Sequence, residues 1–390
     1  MKGKVIGPGQ IKDFKCIGAA CEDTCCAGWY IGIDEATFKK YKKVKDPVMK
    51  KRFDKELVAK GASVEHAAKI KLKNNRCAFL SKEGWCDIFT QLGESYLSET
   101  CTLFPRTFNE VGEHVEYSIA LSCPEAARMI LLNEAGFKLE GVEAPNHYKV
   151  SGKLPINEKK PQKWQDYLLE IRSILMGLIQ NRNKCFFERF SDVEDFLLKL
   201  DSVSRKQSVK EIQNLLVAYK DLDKLPASLN HPFKDKWKNK ALALVMKLKV
   251  LRCEKKWPST FYENSYNDLL EGLNLVEKDD LRAAKVCLEK GEKNYLEPFM
   301  KTHSYILENY FANYIFERLV PLDGENVLES LTKLEIYKHL IFTHLIAMGN
   351  VKEKIDAHEV VAFIQAFSKV FDHNEIYMYK LLKLEKASKQ

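Results

Sequence analysis

The sequence predicts a mainly α-helical protein, with a small cysteine-rich region of β-hairpins at its N-terminus and an all-helical domain after it. Three observations support this fold class. Eight of the eleven cysteines lie in the first third of the chain. Short stretches between residues 77 and 121 place apolar residues as hairpin strands do. From Trp164 onward, apolar residues instead recur at helical spacing.

The length and composition are those of a globular protein with more than one domain. The 390 residues are 45% hydrophobic and 30% charged, which is ordinary for soluble domains. Turn-forming residues cluster in one later stretch, at Pro145, Gly152, Pro155 and Pro161. We therefore predict a cysteine-rich domain over residues 1–140, a linker over 141–162 and a helical domain over 163–390.

Charge and hydropathy restrict the environment and the partners. The net charge of +8 is too small to indicate a nucleic-acid partner by itself. The N-terminus lacks the apolar segment of a signal peptide, and no stretch reaches the length of a membrane span. We therefore expect a cytoplasmic protein without a membrane partner, and a reducing compartment in which clustered cysteines more often bind metals than form disulfides. The oligomeric state is left open.

The first elements surround four closely spaced thiols. Alternation in Trp29–Ile33 predicts a short strand, and Asp34 is a good N-cap for the following helix. The segment 77–86 has the pattern of a hairpin with its turn at 81–84. A second hairpin is predicted from the alternation over 115–121, with its turn at 110–112, and Pro124 suits the first turn of the next helix.

The helical half is predicted from apolar stripes and capping motifs. Ser191 and Ser208 each precede a glutamate by three residues, as in a capping box. Further helical segments are predicted at 232–256, 265–290, 296–319, 325–348 and 357–387. The lysine-rich helix 234–256 suits either an acidic partner surface or solvent. His339 and His344 are five residues apart, which is poor spacing for a helical pair of metal ligands.

The N-terminal cysteines are candidate ligands of a metal centre. The set is Cys16, Cys21, Cys25, Cys26, Cys77, Cys86, Cys101 and Cys123. Only Cys21 with Cys25 or Cys26 has the short spacing of a zinc site, while a cluster completed by distant thiols also suits iron–sulfur ligation. Cys21, Cys25, Cys86 and Cys101 are slightly favoured. Neither a CxxxCxxC motif nor a glycine-rich turn of a Rossmann-type methyltransferase is present.

An ordered set of motifs resembles the flagellin lysine-N-methylase (FliB-like) family. The motifs are Cys21-Glu-Asp-x-Cys-Cys26-x-Gly-Trp29, Cys77-x-Phe-Leu80, Gly84-x-Cys86, Cys101-x-x-Phe-Pro-Arg106 and Leu121-Ser-Cys-Pro-Glu-Ala-Ala-Arg128. The resemblance is strong over residues 11–130. It implies transfer of a methyl group from S-adenosylmethionine to flagellin lysines. It also implies an iron–sulfur cluster, of the 4Fe-4S type, bound by the eight cysteines as a set, with zinc as the alternative.

Lysine methylation suggests roles for six side chains near the thiols. Glu22, Asp23 and Tyr30 are the catalytic candidates. Glu22 or Asp23 could accept the proton that the reactive amine must first lose, and the Tyr30 ring could hold the lysine stem and the sulfonium. Aromatic rings can hold a cation and Arg can bind a carboxylate. Trp29, Arg106 and Tyr117 are therefore candidates for binding the cofactor. Ordinary packing, turn polarity or capping of carbonyls would explain the same residues.

Two other functions fit the residues without the resemblance. A non-enzymatic interaction protein could hold zinc or iron with the same thiols. A redox protein could use a cluster, or the surplus thiols, for electron transfer. We predict the methyltransferase, acting on flagellin as its protein partner.

Overall fold

The structure is a computed structural model that describes residues 4–59, 66–145, 148–222, 236–254, 257–372 and 375–387. The strands are β1 Val5–Pro8, β2 Gly32–Ile33, β3 Leu57–Val58, β4 Ala68–Ile70, β5 Leu72–Lys73, β6 Arg76–Cys77, β7 Arg106–Val111, β8 His114–Ile119, β9 Leu139–Gly141 and β10 Gly152–Leu154. The helices of the N-terminal part are α1 Glu35–Lys42, α2 Pro47–Glu56, α3 Asp87–Leu92, α4 Glu99–Leu103 and α5 Pro124–Leu131.

Ten α-helices follow within the described ranges of the second half. They are α6 Leu168–Gln180, α7 Phe186–Arg205, α8 Val209–Ala218, α9 Lys236–Glu254, α10 Thr260–Gly272, α11 Leu281–Gly291, α12 Glu297–Glu317, α13 Val327–Lys352, α14 Ala357–Phe371 and α15 Glu375–Ala387. A π-helical turn, Glu292–Leu296, joins α11 to α12. The mainly α-helical class is therefore confirmed. None of the helices in the described ranges is both long and apolar enough to cross a membrane.

Local signals set several of the N-terminal elements. Asp34 caps α1 by accepting a 2.8 Å hydrogen bond from the Thr37 N–H, as predicted. Its second carboxylate oxygen accepts one from Glu99 N–H, at 3.0 Å, which ties α1 to the start of α4. Pro124 occupies the first turn of α5. Both predictions are confirmed.

The two predicted hairpins are also confirmed. β7 and β8 pair antiparallel with Phe108 opposite Tyr117, inside a five-stranded sheet of order β10-β7-β8-β1-β9. Their turn is at residues 112–113, slightly later than predicted. The segment 77–86 folds back through an antiparallel bridge between Leu80 and Cys86.

The helical half differs from the predictions at three places, one of which is the segment predicted over 357–387, where α14 ends at Phe371 and α15 begins at Glu375. Ser208 caps α8 as predicted, by accepting from the Glu211 N–H. The predicted capping box at Ser191 is wrong, because Ser191 lies inside α7. The single helix predicted over 265–290 is also wrong. It is interrupted at Asn274, which has a positive φ of 56°, and α11 begins only after the N-cap Asp280.

Two hydrophobic cores organise the described residues. The smaller core spans residues 31–88 and includes the stacked rings of Tyr41 and Phe53. The larger core joins Phe108 and Tyr117 of the sheet to the helices of the second half. Within the predicted linker, β10 pairs in parallel with β7. The domain boundaries at residues 140 and 163 stay a prediction.

Basic side chains of α9 pair with acids of the same chain. Lys238 lies 2.7 Å from Glu292, and Lys247 lies 2.5 Å from Glu385. Arg252 pairs with Glu263 at 2.7 Å. These side chains therefore face neither open solvent nor a foreign partner, the two interpretations offered by the sequence. The predicted ends of this helix, Lys234, Lys255 and Lys256, lie outside the described residues.

Candidate functional site

The thiols of the N-terminal region surround the smaller core and its junction with the larger one. Four of them, Cys26, Cys77, Cys86 and Cys101, pack with the smaller core. The Cys77 N–H donates to the Cys26 carbonyl at 2.7 Å, so the first thiol cluster lies directly beside β6. Local folding therefore brings together cysteines that are distant in the sequence.

The pKa values of several thiols are raised. The pKa of Cys77 is raised to about 12 and that of Cys101 to about 11, mainly by burial, with a smaller contribution from charge on Cys25. Burial likewise is the main cause that raises the pKa of Cys21 to about 12 and that of Cys123 to about 11. The pKa of Cys25, whose side chain is exposed, is raised chiefly by its hydrogen bond with Cys26.

This proximity does not amount to an assembled metal site. All eleven cysteines are free thiols. Within the described ranges, no group of three or more His, Cys, Asp or Glu side chains is arranged to hold a metal ion. The donors are nevertheless of the right kind, since Cys thiolates are the usual ligands of zinc and iron–sulfur clusters. A bound cation would also favour the thiolates, and so offset the burial that chiefly raises these pKa values and the smaller repulsion between the thiols.

An ion pair fastens the first thiol cluster to the helical half. Lys369 of α14 donates to Asp23 Oδ1 at 2.8 Å and to the Thr24 carbonyl at 3.0 Å. Gln365, one turn earlier, donates to Asp23 Oδ2 at 3.0 Å and to the Ser122 carbonyl at 2.7 Å. The side chains of Lys369 and Asp23 are only 4% and 11% exposed, so this is a buried contact.

A glycine allows the same loop to approach the helical half closely. Gly28 has a φ of +90°, and a Cβ placed there would lie 2.7 Å from the carbonyl oxygen of Pro258. The Gly28 N–H donates to the Asn75 carbonyl at 3.0 Å. The Asn75 side chain in turn donates to Pro258 O at 2.7 Å. Any side chain at residue 28 would therefore push the two parts of the molecule apart.

The predicted catalytic residues do not form one cluster, and the carboxylates among them are already engaged in ion pairs. Glu22 forms an ion pair with Arg128, and Asp23 is bound by Lys369 and Gln365. Tyr30 is 40% exposed and its ring lies near His66. For Glu22 or Asp23 to take a proton, its ion pair must open. Their catalytic roles stay predictions.

The predicted cofactor-binding residues fall into two places. The Trp29 indole N–H donates to the Cys25 carbonyl at 2.5 Å, so this ring lies at the thiols. Arg106 lies over the Phe14 ring and hydrogen-bonds to Tyr117. Burial raises the pKa of Tyr117, whose ring stacks on Phe108. Their cofactor-binding roles also stay predictions.

A cavity in the helical half was missed by the sequence analysis. It has a volume of about 360 Å³ and lies between α12, α13, the end of α14 and α15. Its lining includes Tyr314, Glu317, Arg318, Asp323, Tyr337 and Asp372. One signal was available, because Glu317 and Asp372 stand at helix C-termini, where the helix dipole disfavours acids.

The comparisons with known proteins identify the family. A model of the FliB lysine N-methylase C-terminal domain matches residues 172–389, more than half of the chain. The chain belongs to the FliB lysine N-methylase family. The matched segment contains the whole cavity, whereas the eight clustered cysteines precede it. The resemblance found in the sequence is thereby confirmed.

Three relatives match a shorter part of this FliB-family chain. It is 34% identical over 129 residues to the flagellar biosynthetic protein FliU of Salmonella muenchen, covering 33% of this chain and 76% of that protein. It is 34% identical over 129 residues to the lysine-N-methylases of Salmonella choleraesuis and Salmonella typhimurium. The match spans only 32% of the length of these two enzymes. No solved structure matches the chain.

Proposed function

We propose that this protein transfers methyl groups from S-adenosylmethionine to lysine side chains of flagellin. The observation that carries the proposal is the match of more than half of the chain to a lysine N-methylase domain. Two relatives are named lysine-N-methylase, and a third is named a flagellar biosynthetic protein. Flagellin as the substrate, S-adenosylmethionine as the donor and a cytoplasmic location remain part of the proposal.

The reaction sets clear chemical requirements. A lysine amine attacks the methyl carbon of the sulfonium, the sulfur–methyl bond breaks, and S-adenosylhomocysteine leaves. The amine must be neutral, although its ordinary pKa is about 10.4, so a base must accept its proton. Glu22 or Asp23 is proposed to accept the proton, and Tyr30 to hold the lysine stem. Trp29, Arg106 and Tyr117 are proposed to bind the cofactor.

We also propose that the thiols hold an iron–sulfur cluster, with zinc as the alternative. Cys21, Cys25, Cys86 and Cys101 are the slightly favoured ligands, and charge on Cys25 acts on the other three, as it also does on Cys77 and Cys123. Their side chains would have to draw together to reach ligand distances. Such a centre would cross-link segments that are distant in the sequence, or supply electrons.

A methylation assay tests the function directly. The full chain, purified without oxygen and under reducing conditions, would be incubated with flagellin and methyl-deuterated S-adenosylmethionine. Mass spectrometry should then find deuterated methyl groups on flagellin lysines. Flagellin whose lysines have been fully dimethylated beforehand is the matched control and should gain far less label. Unmodified flagellin would count against the methyltransferase, and stable binding without modification would favour an interaction protein.

A further inference from the structure

The cavity between α12, α13 and α15 has an excess of negative charge. Its lining carries the carboxylates of Glu317, Asp323, Glu329 and Asp372, against the cations of Arg318 and Lys333. Glu329 is paired with Lys386, at 2.8 Å. Glu317, Asp323 and Asp372 thus share two cations, and burial raises the pKa of Glu317 to about 7 and also raises the pKa of Asp372, so these two acids carry only part of their charge near neutral pH. An additional positive group would balance the charge of this site.

Both lining cations already bind backbone carbonyls of the cavity wall. Arg318 Nη2 donates to the carbonyl oxygen of Asp372. Lys333 Nζ donates to the carbonyl oxygen of Asp323. These contacts fix the cations in the wall and make the cavity a poor site for a carboxylate ligand. The cavity is better suited to a cation.

Two buried carboxylate oxygens in the lining accept no hydrogen bond from the described residues. The Asp323 side chain is only 7% exposed. Its Oδ2 accepts from the Tyr314 hydroxyl at 3.0 Å, whereas its Oδ1 is buried and has no partner among the described residues. The same is true of Asp372 Oδ1. Buried carboxylate oxygens without donors are costly, so a ligand that donates hydrogen bonds would stabilise this site.

The remaining lining suits an alkyl chain that ends in a cation. The rings of Tyr314 and Tyr337 meet edge to face with centroids 4.9 Å apart, and Met378 and Leu382 add apolar surface. Aromatic rings attract organic cations. The helix α15 also presents Tyr379, 68% exposed, and Ile376, 56% exposed, three residues apart on one face. Exposed apolar residues beside a cavity suit contact with a protein rather than a small molecule alone.

The cavity also lies near the ion pair between Lys369 and Asp23, which fastens the loop of the first thiol cluster (residues 16–26, the thiol loop) to the helical half. Asp372 follows Lys369 by three residues, which is less than one helical turn. Lys369 holds Asp23 and Thr24 of that loop, while Phe371 and Asp372 line the cavity. The end of α14 therefore connects the cysteine-rich region with the cavity.

We infer that this cavity binds a lysine side chain of the protein substrate. The ammonium group donates to Asp323 and Asp372, and the methylene chain packs on the tyrosines. Glu317, in place of Glu22 or Asp23, accepts the proton that the amine loses. The inference rests on the proposed function and names where the substrate lysine enters. Burial raises the pKa of Glu317 to about 7, which suits a proton acceptor near neutral pH.

The test uses n-butylammonium, which reproduces the lysine side chain, as a probe in ligand-observed NMR with the full chain. We expect the probe to bind, and 1-butanol to bind much more weakly. Asp323→Asn and Asp372→Asn should each weaken binding of the probe by about tenfold or more, since each removes a charge-assisted hydrogen bond. Two variants are used so that a folding defect in one, detected by thermal melting, does not decide the result.

Asp195→Asn is the matched control. Asp195 also accepts from a tyrosine hydroxyl, that of Tyr219 at 2.7 Å, but it lies outside the cavity. Probe binding that is absent, or unchanged in both cavity variants, would overturn the inference. Displacement of the probe by S-adenosylhomocysteine would overturn it too, because the cavity would then hold the methyl donor. Probe binding that depends on Asp323, in a protein that does not methylate flagellin, would support the cavity assignment and refute the proposed function.

Discussion

Replacing Lys369 should detach the thiol loop from the helical half. Its ammonium group donates to Asp23 Oδ1 and to the Thr24 carbonyl, and the Lys369 side chain is 4% exposed. Lys369→Met keeps most of the volume of the side chain and removes its charge. Asp23 would then be a buried carboxylate that keeps only its bond from Gln365.

The loss in the free energy of unfolding of Lys369→Met can be judged from the burial of the ion pair between Lys369 and Asp23. Breaking a buried ion pair by removing one partner costs about 3–5 kcal/mol, because the other charge is left uncompensated. Gln365 remains in contact with Asp23, so we expect a value near the lower limit, about 3 kcal/mol. The exposed pair of Lys159 and Glu113, whose side chains are 80% and 73% exposed, provides the contrast. Lys159→Met should leave the free energy of unfolding almost unchanged, because solvent screens an exposed ion pair.

Urea denaturation of both variants measures these free energies of unfolding. The rate at which Cys21, a partly buried thiol next to Asp23, reacts with a thiol reagent in the native protein reports separately on detachment of the loop. This rate should rise in Lys369→Met alone. The double variant with Asp23→Asn should recover part of the loss, because it removes the stranded charge. Equal stability of Lys369→Met and Lys159→Met, with unchanged thiol reactivity, would refute this description of the contact.

Two further predictions concern the junction and the cavity. Gly28→Ala should destabilise the protein by about 1–3 kcal/mol more than Gly93→Ala, as measured by thermal melting. The two glycines have φ values of +90° and +86°, but of the two only Gly28 would bring a Cβ against another atom, Pro258 O. Equal losses of stability in the two variants would argue against the close approach at Gly28. For Glu317, the folded-state pKa of about 7 lies above the ordinary 4.5, so the folded protein retains a proton that the unfolded chain releases. Stability should therefore fall as pH rises from 4.5 to 7, by up to about 3 kcal/mol, and urea titrations should show that Glu317→Gln lacks this part of the dependence.

Local signals in the sequence were enough to predict the small elements. The N-cap Asp34, the alternation around Tyr117 and the proline that begins α5 each act through neighbouring residues. The error at Ser191 has a local explanation as well. The Glu188 side chain accepts from the Cys185 N–H at 2.8 Å, so α7 begins there, and Ser191 is buried within the helix.

The contacts that build the candidate site could not be predicted in this way. Asp23 and Lys369 are 346 residues apart, and neither carries a local sign of its partner. The cavity depends likewise on the packing of several helices around Glu317 and Asp323. Clustering of the cysteines predicted a common metal centre, and this stays a prediction, because no group of three or more ligands is assembled among the described residues.

The central claim, that the thiols around Cys25 hold an inorganic centre, is tested most directly by iron and sulfide analysis of anaerobically purified protein. We predict a brown protein with iron and acid-labile sulfide in equal amounts, and loss of both in the variant Cys25→Ser but not in Cys185→Ser. A colourless protein that contains zinc would show that the thiols hold zinc instead of an iron–sulfur cluster. Protein without any bound metal under these conditions would contradict the claim.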